Sequence, residues 1–330
     1  MKQIKHLSDL REPEILKVLQ RFCPAEIIGD DGAVLAWQNN KDLVVTTDVL
    51  VDTVHFSDRT TPAKMAGWRA VAANLSDLAA MGATPVSITV GLSLPPKTEL
   101  RWLEDLYAGI GACLQTYDTP LVGGDITRSP VKTIAITALG AVSKKNVIRR
   151  NTAQVGDVII ATGFHGDSRA GLELLLNPET GRNLTVGDRQ YLILAHQKPL
   201  PRLDVSAYLN DIETDRNFAG MDSSDGLADA VLQLCEMSQA GAVLNETKIP
   251  ISHALSRYQS LDKALQWTLY GGEDFELVLC MRRSPAEMLV QKFGKGCSII
   301  GEITADKTVR LIRKDGRSQT LSRQNSFQHF

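Results

Sequence analysis

The alternation of apolar and polar positions divides the chain into strands and helices of an α/β (α+β) protein. Leu43 to Phe56, LVVTTDVLVDTVHF, opens with β-branched and apolar residues, is interrupted by Thr46, Thr47 and Asp48, and resumes as Val49-Leu50-Val51. Strand propensity is strong, so an aspartate and two hydroxyls are expected inside a largely buried strand. A buried carboxylate is costly unless it is paired or binds a metal. An edge strand with one polar face explains the same pattern without a ligand.

Before this stretch, residues 8–22 read as an amphipathic helix with Ile15, Leu16, Val18 and Leu19 inward, followed by a Gly29-Asp30-Asp31-Gly32 turn and a short strand at 33–37. After it, Thr61-Pro62 opens a helix whose apolar side carries Met65, Trp68, Ala72, Leu75 and Ala79, and which stops at Met81-Gly82. Asn74 and Asp77 share one face of it. Val86 to Leu94 predicts a strand, and Leu100, Leu103, Tyr107, Ile110, Leu114 and Tyr117 mark the next helix. Leu121 to Thr127 predicts a strand end breaking into a Gly123-Gly124-Asp125 turn, and Lys132 to Val142 a strand buried on both faces.

The polar run from Lys144 to Asp157 marks a boundary near 145, giving an N-terminal domain of 1–145 and a C-terminal domain of 146–330. Val158 to Thr162 is a strand. The loop 163–168 feeds a helix from Arg169, a setting that suits either a bound anion or an ordinary cap. Pro199 and Pro201 split 192–208 into helix, break and helix. Ala219 to Ala230 is a polar turn entering a helix, and 270–276 another acidic turn entering the strand Leu277 to Cys280.

Composition narrows the class. The chain has 330 residues, 43% hydrophobic and 22% charged, with a formal net charge of −2. That is ordinary for a globular protein, and without a basic stripe it argues against nucleic-acid or membrane-surface binding. The start lacks the apolar core of a signal peptide, and the uncharged stretch 78–96 contains three prolines, so no membrane span is expected. Five scattered cysteines without C-x-x-C fit free thiols in a reducing, cytoplasmic setting.

Carboxylates recur at element ends: Asp30 and Asp31, Asp48, Asp77, Asp125, Asp222 and Asp225, Glu273 and Asp274. Two bare carboxylates about 4 Å apart repel by roughly 4 kcal/mol at an effective dielectric near 20. A converging set therefore calls for cations, and all-oxygen ligands point to Mg²⁺ or Ca²⁺. Mg²⁺ commonly shares its shell with phosphates, yet neither a P-loop nor the protein-kinase motifs are present.

Taken in order, IGDDGAVL (28–35), TTDVLVDTVHF (46–56), NLSDLAAMGATP (74–85), GGDITRS (123–129), GDSRAGLELLL (166–176), MDSSDGLADA (221–230) and GGEDFEL (271–277) are similar to the thiamine-monophosphate kinase family. The resemblance implies the two-domain fold typified by aminoimidazole ribonucleotide synthetase. Its N-terminal sheet would form a β-barrel in a homodimer, and its C-terminal α/β domain would complete the nucleotide and substrate site. It implies transfer of a phosphoryl group from ATP to thiamine monophosphate, the last step to thiamine diphosphate, by direct in-line displacement. Carried over residue by residue, Mg²⁺ would be held by Asp30, Asp31, Thr46, Thr47, Asp48, Asp77, Asp125, Asp222 and Asp225. ATP would meet Tyr107, Gly124, Asp125, Arg150 and Ser224, with Arg149 the other choice at the arginine position. Thiamine monophosphate would meet His55, Glu273 and Phe327. Core packing for Tyr107, capping for Asp222 and Asp225, and a satisfied strand-end role for His55 remain the alternatives read from the residues. Another ATP-dependent enzyme of the superfamily, or a nucleotide or Mg²⁺ sensor on the same fold, would share most of these motifs.

Overall fold

The computed structural model describes residues 18–19, 21–22, 40–212 and 218–323. The chain divides into two compact units, 1–78 with 83–143, and 79–82 with 144–330. The expected helix at 8–22 and strand at 33–37 fall largely or wholly outside the described residues.

The first unit contains β1 (Lys41–Val51), α1 (Ala63–Ala80, whose last two residues cluster with the second unit), β2 (Thr84–Leu94), α2 (Leu100–Thr116), β3 (Leu121–Arg128) and β4 (Thr133–Ser143). The sheet order is β1-β4-β2-β3. β4 runs antiparallel to β1 and β2, whereas β2 and β3 are parallel and need the crossover that α2 supplies. Among the described residues the sheet is open, with β1 and β3 at its edges, and forms no closed barrel. Its inner face buries Ile88, Val90, Leu92, Ile134, Ile136 and Ala138. α1 and α2 cross closely because two glycines permit it. A Cβ on Gly67 would lie 2.1 Å from the Leu106 carbonyl oxygen, and one on Gly109 would lie 1.8 Å from that of Lys64.

Two expectations are corrected in this unit. β1 is not a largely buried strand. Thr46, Asp48 and Leu50 face inward, while Leu43, Val45 and Val49 on the alternate face are 50%, 57% and 48% exposed. The Gly123-Gly124-Asp125 segment is not a turn. It lies inside β3, with Thr89, Val90 and Gly91 of β2 opposite its three residues. The glycines suit the strand: a Cβ on Gly124 would approach the Val90 carbonyl oxygen to 2.2 Å.

The second unit is built on a seven-stranded mixed sheet, β11-β10-β7-β9-β5-β8-β6. Its strands are β5 (Val158–Ala161), β6 (Ala219–Asp222), β7 (Gly241–Asn245), β8 (Leu277–Met281), β9 (Ser298–Thr304), β10 (Val309–Ile312) and β11 (Ser318–Thr320). Its helices are α3 (Asp167–Leu176), α4 (Val186–Gln197), α5 (Leu203–Asn210), α6 (Leu227–Met237), α7 (His253–Tyr258), α8 (Leu261–Tyr270) and α9 (Arg283–Phe293). β5 and β8 are buried at every position, which explains their unbroken apolar runs. One face, through Ile159, Met221 and Val278, packs on Leu227, Val231 and Leu234 of α6 and on Leu265 and Leu269 of α8. The other, through Val158, Ile160 and Leu279, packs on Val205 and Leu209 of α5 and on Ala286 and Leu289 of α9. None of the described helices is long and apolar enough to cross a membrane. The side chains of Cys113, Cys235, Cys280 and Cys297 are buried.

Candidate functional site

In the first unit the alternation of β1 turns Thr46 and Asp48 toward one face of α1. The Thr46 hydroxyl donates to Asp77 Oδ2, and the Asp48 amide donates to Asn74 Oδ1 at 3.2 Å. Asn74 is itself fixed, its Nδ2 donating to the Ala70 carbonyl at 2.9 Å. Burial, and then the charge of Asp77, push the Asp48 carboxyl from 3.8 up to about 6. Two carboxylates are thus held against each other on rigid elements. Among the described residues, no three His, Cys, Asp or Glu side chains are placed to hold a metal ion by themselves. Mg²⁺ asks for less, since it keeps several waters and takes one or two carboxylates beside phosphate oxygens. The like-charge strain on Asp48 and the oxygen-only donors fit such a cation. Asp30 and Asp31 lie outside the described residues.

Strand register separates the remaining carboxylate of this unit. Asp125 pairs with Gly91, whose row continues through Ala135 to Val49, so Asp125 lies on the outer face of the sheet. Thr47 is on that outer face too, its hydroxyl 2.8 Å from that of Thr137. Three strand spacings, about 14 Å, separate the β1 and β3 edges. Register therefore sets Asp125 on the opposite face and at the opposite edge of this sheet from Asp48.

Tyr107 is buried in α2, with its ring 5.4 Å from that of Phe22. His55 sits in the turn after β1, where its Nδ1 accepts the Val51 amide at 3.0 Å. That bond leaves the proton of the neutral ring on Nε2. The turn is pinned by Asp58, which accepts from Trp102 Nε1 at 3.0 Å and from Lys132 Nζ at 2.8 Å.

In the second unit two motif loops are joined. Asp222 ends β6, buried, and Ser224 and Asp225 follow before α6. The Glu273 amide donates to the Ser224 carbonyl at 2.6 Å, and the Ser223 amide donates to the Glu276 carbonyl at 2.8 Å. Gly226, at φ +104°, leaves 3.0 Å between an added Cβ and the Leu269 carbonyl oxygen. Glu273 and Phe275 hold positive φ values of 60° and 54° without being glycine, a conformation of order 1–3 kcal/mol each that the surrounding contacts impose. Arg150 Nη1 donates to Gln233 Oε1 at 2.7 Å, whereas the Arg149 backbone is joined to Phe218 and Gly220. Phe327 lies outside the described residues.

Sequence reasoning missed the buried scaffold below Glu273. Asp274 accepts the amides of Gly166 at 2.7 Å and Ser168 at 2.8 Å, so the anion at the start of α3 is this protein's own carboxylate. α3 accordingly begins at Asp167, two residues before the expected Arg169. Asp167 accepts from Ser252 at 2.6 Å and Tyr191 at 2.8 Å. Glu276 accepts from Arg202 at 2.6 Å and Thr162 at 2.7 Å. Burial raises the carboxyls of Asp274 and Glu276 despite these donors. His165 is fully buried with both ring nitrogens unpartnered, and burial lowers it to about 3. The one available signal was the placement of Asp274 and Glu276 beside a strongly apolar strand.

The N-terminal domain model of AIR synthase related proteins matches residues 29–142, and the C-terminal domain model matches 154–314. Thiamine-monophosphate kinase from Synechococcus elongatus is 51% identical over 329 residues, 99% of this chain and 98% of that one. The protein of that name from Escherichia coli K12 is 37% identical over 92% of this chain and 91% of its own. Among solved structures, thiamine-monophosphate kinase from Stenotrophomonas maltophilia K279a matches with a TM-score of 0.79 and 33% identity, covering 93% of this chain and 96% of that one. AaThiL complexed with AMPPCP and TMP matches with a TM-score of 0.76 and 28% identity over all of both chains. Identity of this depth across both units makes the chain a member of the thiamine-monophosphate kinase family of AIR synthase related proteins.

Proposed function

We propose that this protein transfers the γ-phosphoryl group of ATP to the phosphate of thiamine monophosphate, giving thiamine diphosphate and ADP. The observation that carries the reading is the Asp48–Asp77 carboxylate pair, strained by like charge and set on β1 and α1, in a chain of this family. A related structure, 28% identical, is described with AMPPCP and TMP, a nucleotide analogue and the ligand such a reaction requires.

The nucleophile is an oxygen of the substrate phosphate. Such a monoester has a second pKa near 6 and is largely dianionic at pH 7, so it needs orientation and charge neutralisation rather than a protein base. Its oxygen forms the new bond to the γ-phosphorus in line with departure of ADP, and no covalent enzyme intermediate is required. Mg²⁺, when bound, would supply charge neutralisation for the two polyanions. Asp30, Asp31, Thr46, Thr47, Asp48, Asp77, Asp125, Asp222 and Asp225 are the proposed ligands. Tyr107, Gly124, Asp125, Arg150 and Ser224 are proposed to bind ATP, and His55, Glu273 and Phe327 the thiamine monophosphate. Domains of 1–145 and 146–330, a cytoplasmic location and the final position in thiamine diphosphate formation belong to the same reading.

The reading includes a homodimer in which two N-terminal sheets close a barrel. The exposed apolar row Leu43, Val45 and Val49 on an edge strand supports it. So does the position of Asp125 and Thr47 on the same outer face but at opposite edges, which a second copy could bridge. Sedimentation of the wild type and of Val45→Asp tests this part, with a monomeric wild type as the result against it. The activity is tested by incubating the protein with ATP, Mg²⁺ and either thiamine or thiamine monophosphate, then separating the thiamine phosphates. Diphosphate formed from the monophosphate alone, and lost with EDTA, is the expected result. A folded protein that makes none overturns the reading.

A further inference from the structure

α6 does more than carry the Asp222–Asp225 loop at its N-terminal end. Its middle reaches Arg150, the guanidinium assigned above to ATP, and the inference rests on that assignment. Gln233 Oε1 accepts from Arg150 Nη1 at 2.7 Å. The other end of the same amide, Nε2, donates to Asp229 Oδ2 at 2.5 Å. Asp229, one turn earlier and buried, has its second oxygen 3.3 Å from Arg323 Nε. Arg323 in turn donates to Glu236 at 2.7 Å. At the far end of the helix, Ser238 Oγ donates to the Arg150 carbonyl at 3.0 Å and accepts the Ala153 amide at 3.1 Å.

The chemistry of the row is directional. An ionised carboxylate only accepts, so Asp229 takes the NH₂ end of the Gln233 amide and forces its carbonyl end outward. A carbonyl is the end that an arginine can use, because a guanidinium only donates. Were the amide reversed, both of its contacts would set donor against donor or acceptor against acceptor. Ser238 fixes the backbone of Arg150 from the same helix. A long, exposed side chain with many rotamers is thereby restricted before any ligand arrives, which lowers the entropy lost on binding. Among the described residues Gln233 uses one of its five donors, leaving four on the planar fork for phosphate oxygens.

We infer that Gln233, oriented by Asp229, is a positioning residue for Arg150 and so tunes affinity for the nucleotide rather than the chemical step. Gln233→Leu removes the contact with little change in volume. It should raise KM for ATP by roughly three- to tenfold, the range for the net loss of one ordinary hydrogen bond. The kcat value, KM for thiamine monophosphate and the melting temperature should stay close to wild type. Arg150→Ala should raise KM for ATP further, and Gln233→Leu in that background should add nothing. Asp229→Ala should act in the direction of Gln233→Leu and lose its effect on KM for ATP once Gln233 is leucine. An unchanged KM for ATP in Gln233→Leu, with Arg150→Ala raised, overturns the inference alone. So does an equal effect of Gln233→Leu with and without Arg150. An unchanged KM for ATP in Arg150→Ala overturns the assignment of Arg150 to the nucleotide, and the positioning role with it.

Discussion

Two acidic regions of this protein look alike on paper and differ in what surrounds them. In the second unit Asp274 accepts two backbone amides, Asp167 two hydroxyls, and Glu276 an arginine and a threonine. Each of those buried charges finds donors inside the protein. In the first unit Asp77 has the Thr46 hydroxyl, and the charge of Asp77 works against Asp48. The first arrangement pairs each carboxyl with donors, whereas the second sets Asp48 against a like charge that a cation would relieve. Burial alone therefore does not separate the two regions; what faces each buried carboxyl does.

The largest expected contrast comes from making the same change in both regions. Asp48→Asn should lower kcat by about a hundredfold or more, because charge neutralisation at the transferred phosphoryl is lost. Its melting temperature without metal should be equal to or above wild type, since one of two repelling charges is gone. Near-normal turnover in that variant would remove the basis for a metal at this pair. Asp274→Asn should do the reverse. It puts an NH₂ group opposite one of two backbone amides at the start of α3, at a cost of about 1–3 kcal/mol in denaturant unfolding. Above the concentration needed to keep it folded, kcat should be far less affected than in Asp48→Asn. An Asp274→Asn protein of full stability would mean that the α3 start does not depend on this carboxylate.

Gly124→Ala sharpens the comparison by testing backbone rather than charge. The new methyl group would meet the Val90 carbonyl at the β2–β3 pairing, costing about 1–3 kcal/mol of stability whether or not nucleotide is present. Normal stability with weakened ATP binding would instead mark Gly124 as a ligand contact alone.

The smallest effect is in the pH profile. The raised Asp48 carboxyl means that the metal-free fold keeps a proton that the unfolded chain has already released. Its contribution to stability is full below pH 3.8 and is lost as pH rises through about 6. Melts in EDTA should show this as a slope of a few degrees between those limits, flattened in Asp48→Asn. Stabilisation by added Mg²⁺ should grow over the same interval, as the carboxylate form becomes available. A stabilisation by Mg²⁺ that is already complete at pH 4.5 would contradict the assignment.

Much of the fold was legible because its signals are local. The Met81-Gly82 stop, the uninterrupted apolar strands at 158 and 277, and the break at Pro199 and Pro201 appear where the periodicity puts them. The helices α7 to α9 and the strands β7 and β9 to β11 were not read, and β6 was read as part of a polar turn, since their faces are set by neighbours distant in sequence. The Gly123-Gly124-Asp125 segment was misread as a turn because glycine pairs usually mark one. Here they answer to a neighbouring strand.

The sequence by itself determined which residues could carry charge, the class of donor they offer and the family they belong to. Those depend only on residue type and spacing. The tertiary structure decided which carboxylates meet: Asp48 with Asp77 on one face, and Asp125 on the other face at the far edge. It also decided that Asp274 serves a helix start and that Gln233 holds Arg150. Each of those facts depends on strand register or helix packing between segments far apart in the chain, and a one-residue slip in β1 would turn Asp48 away from α1 altogether.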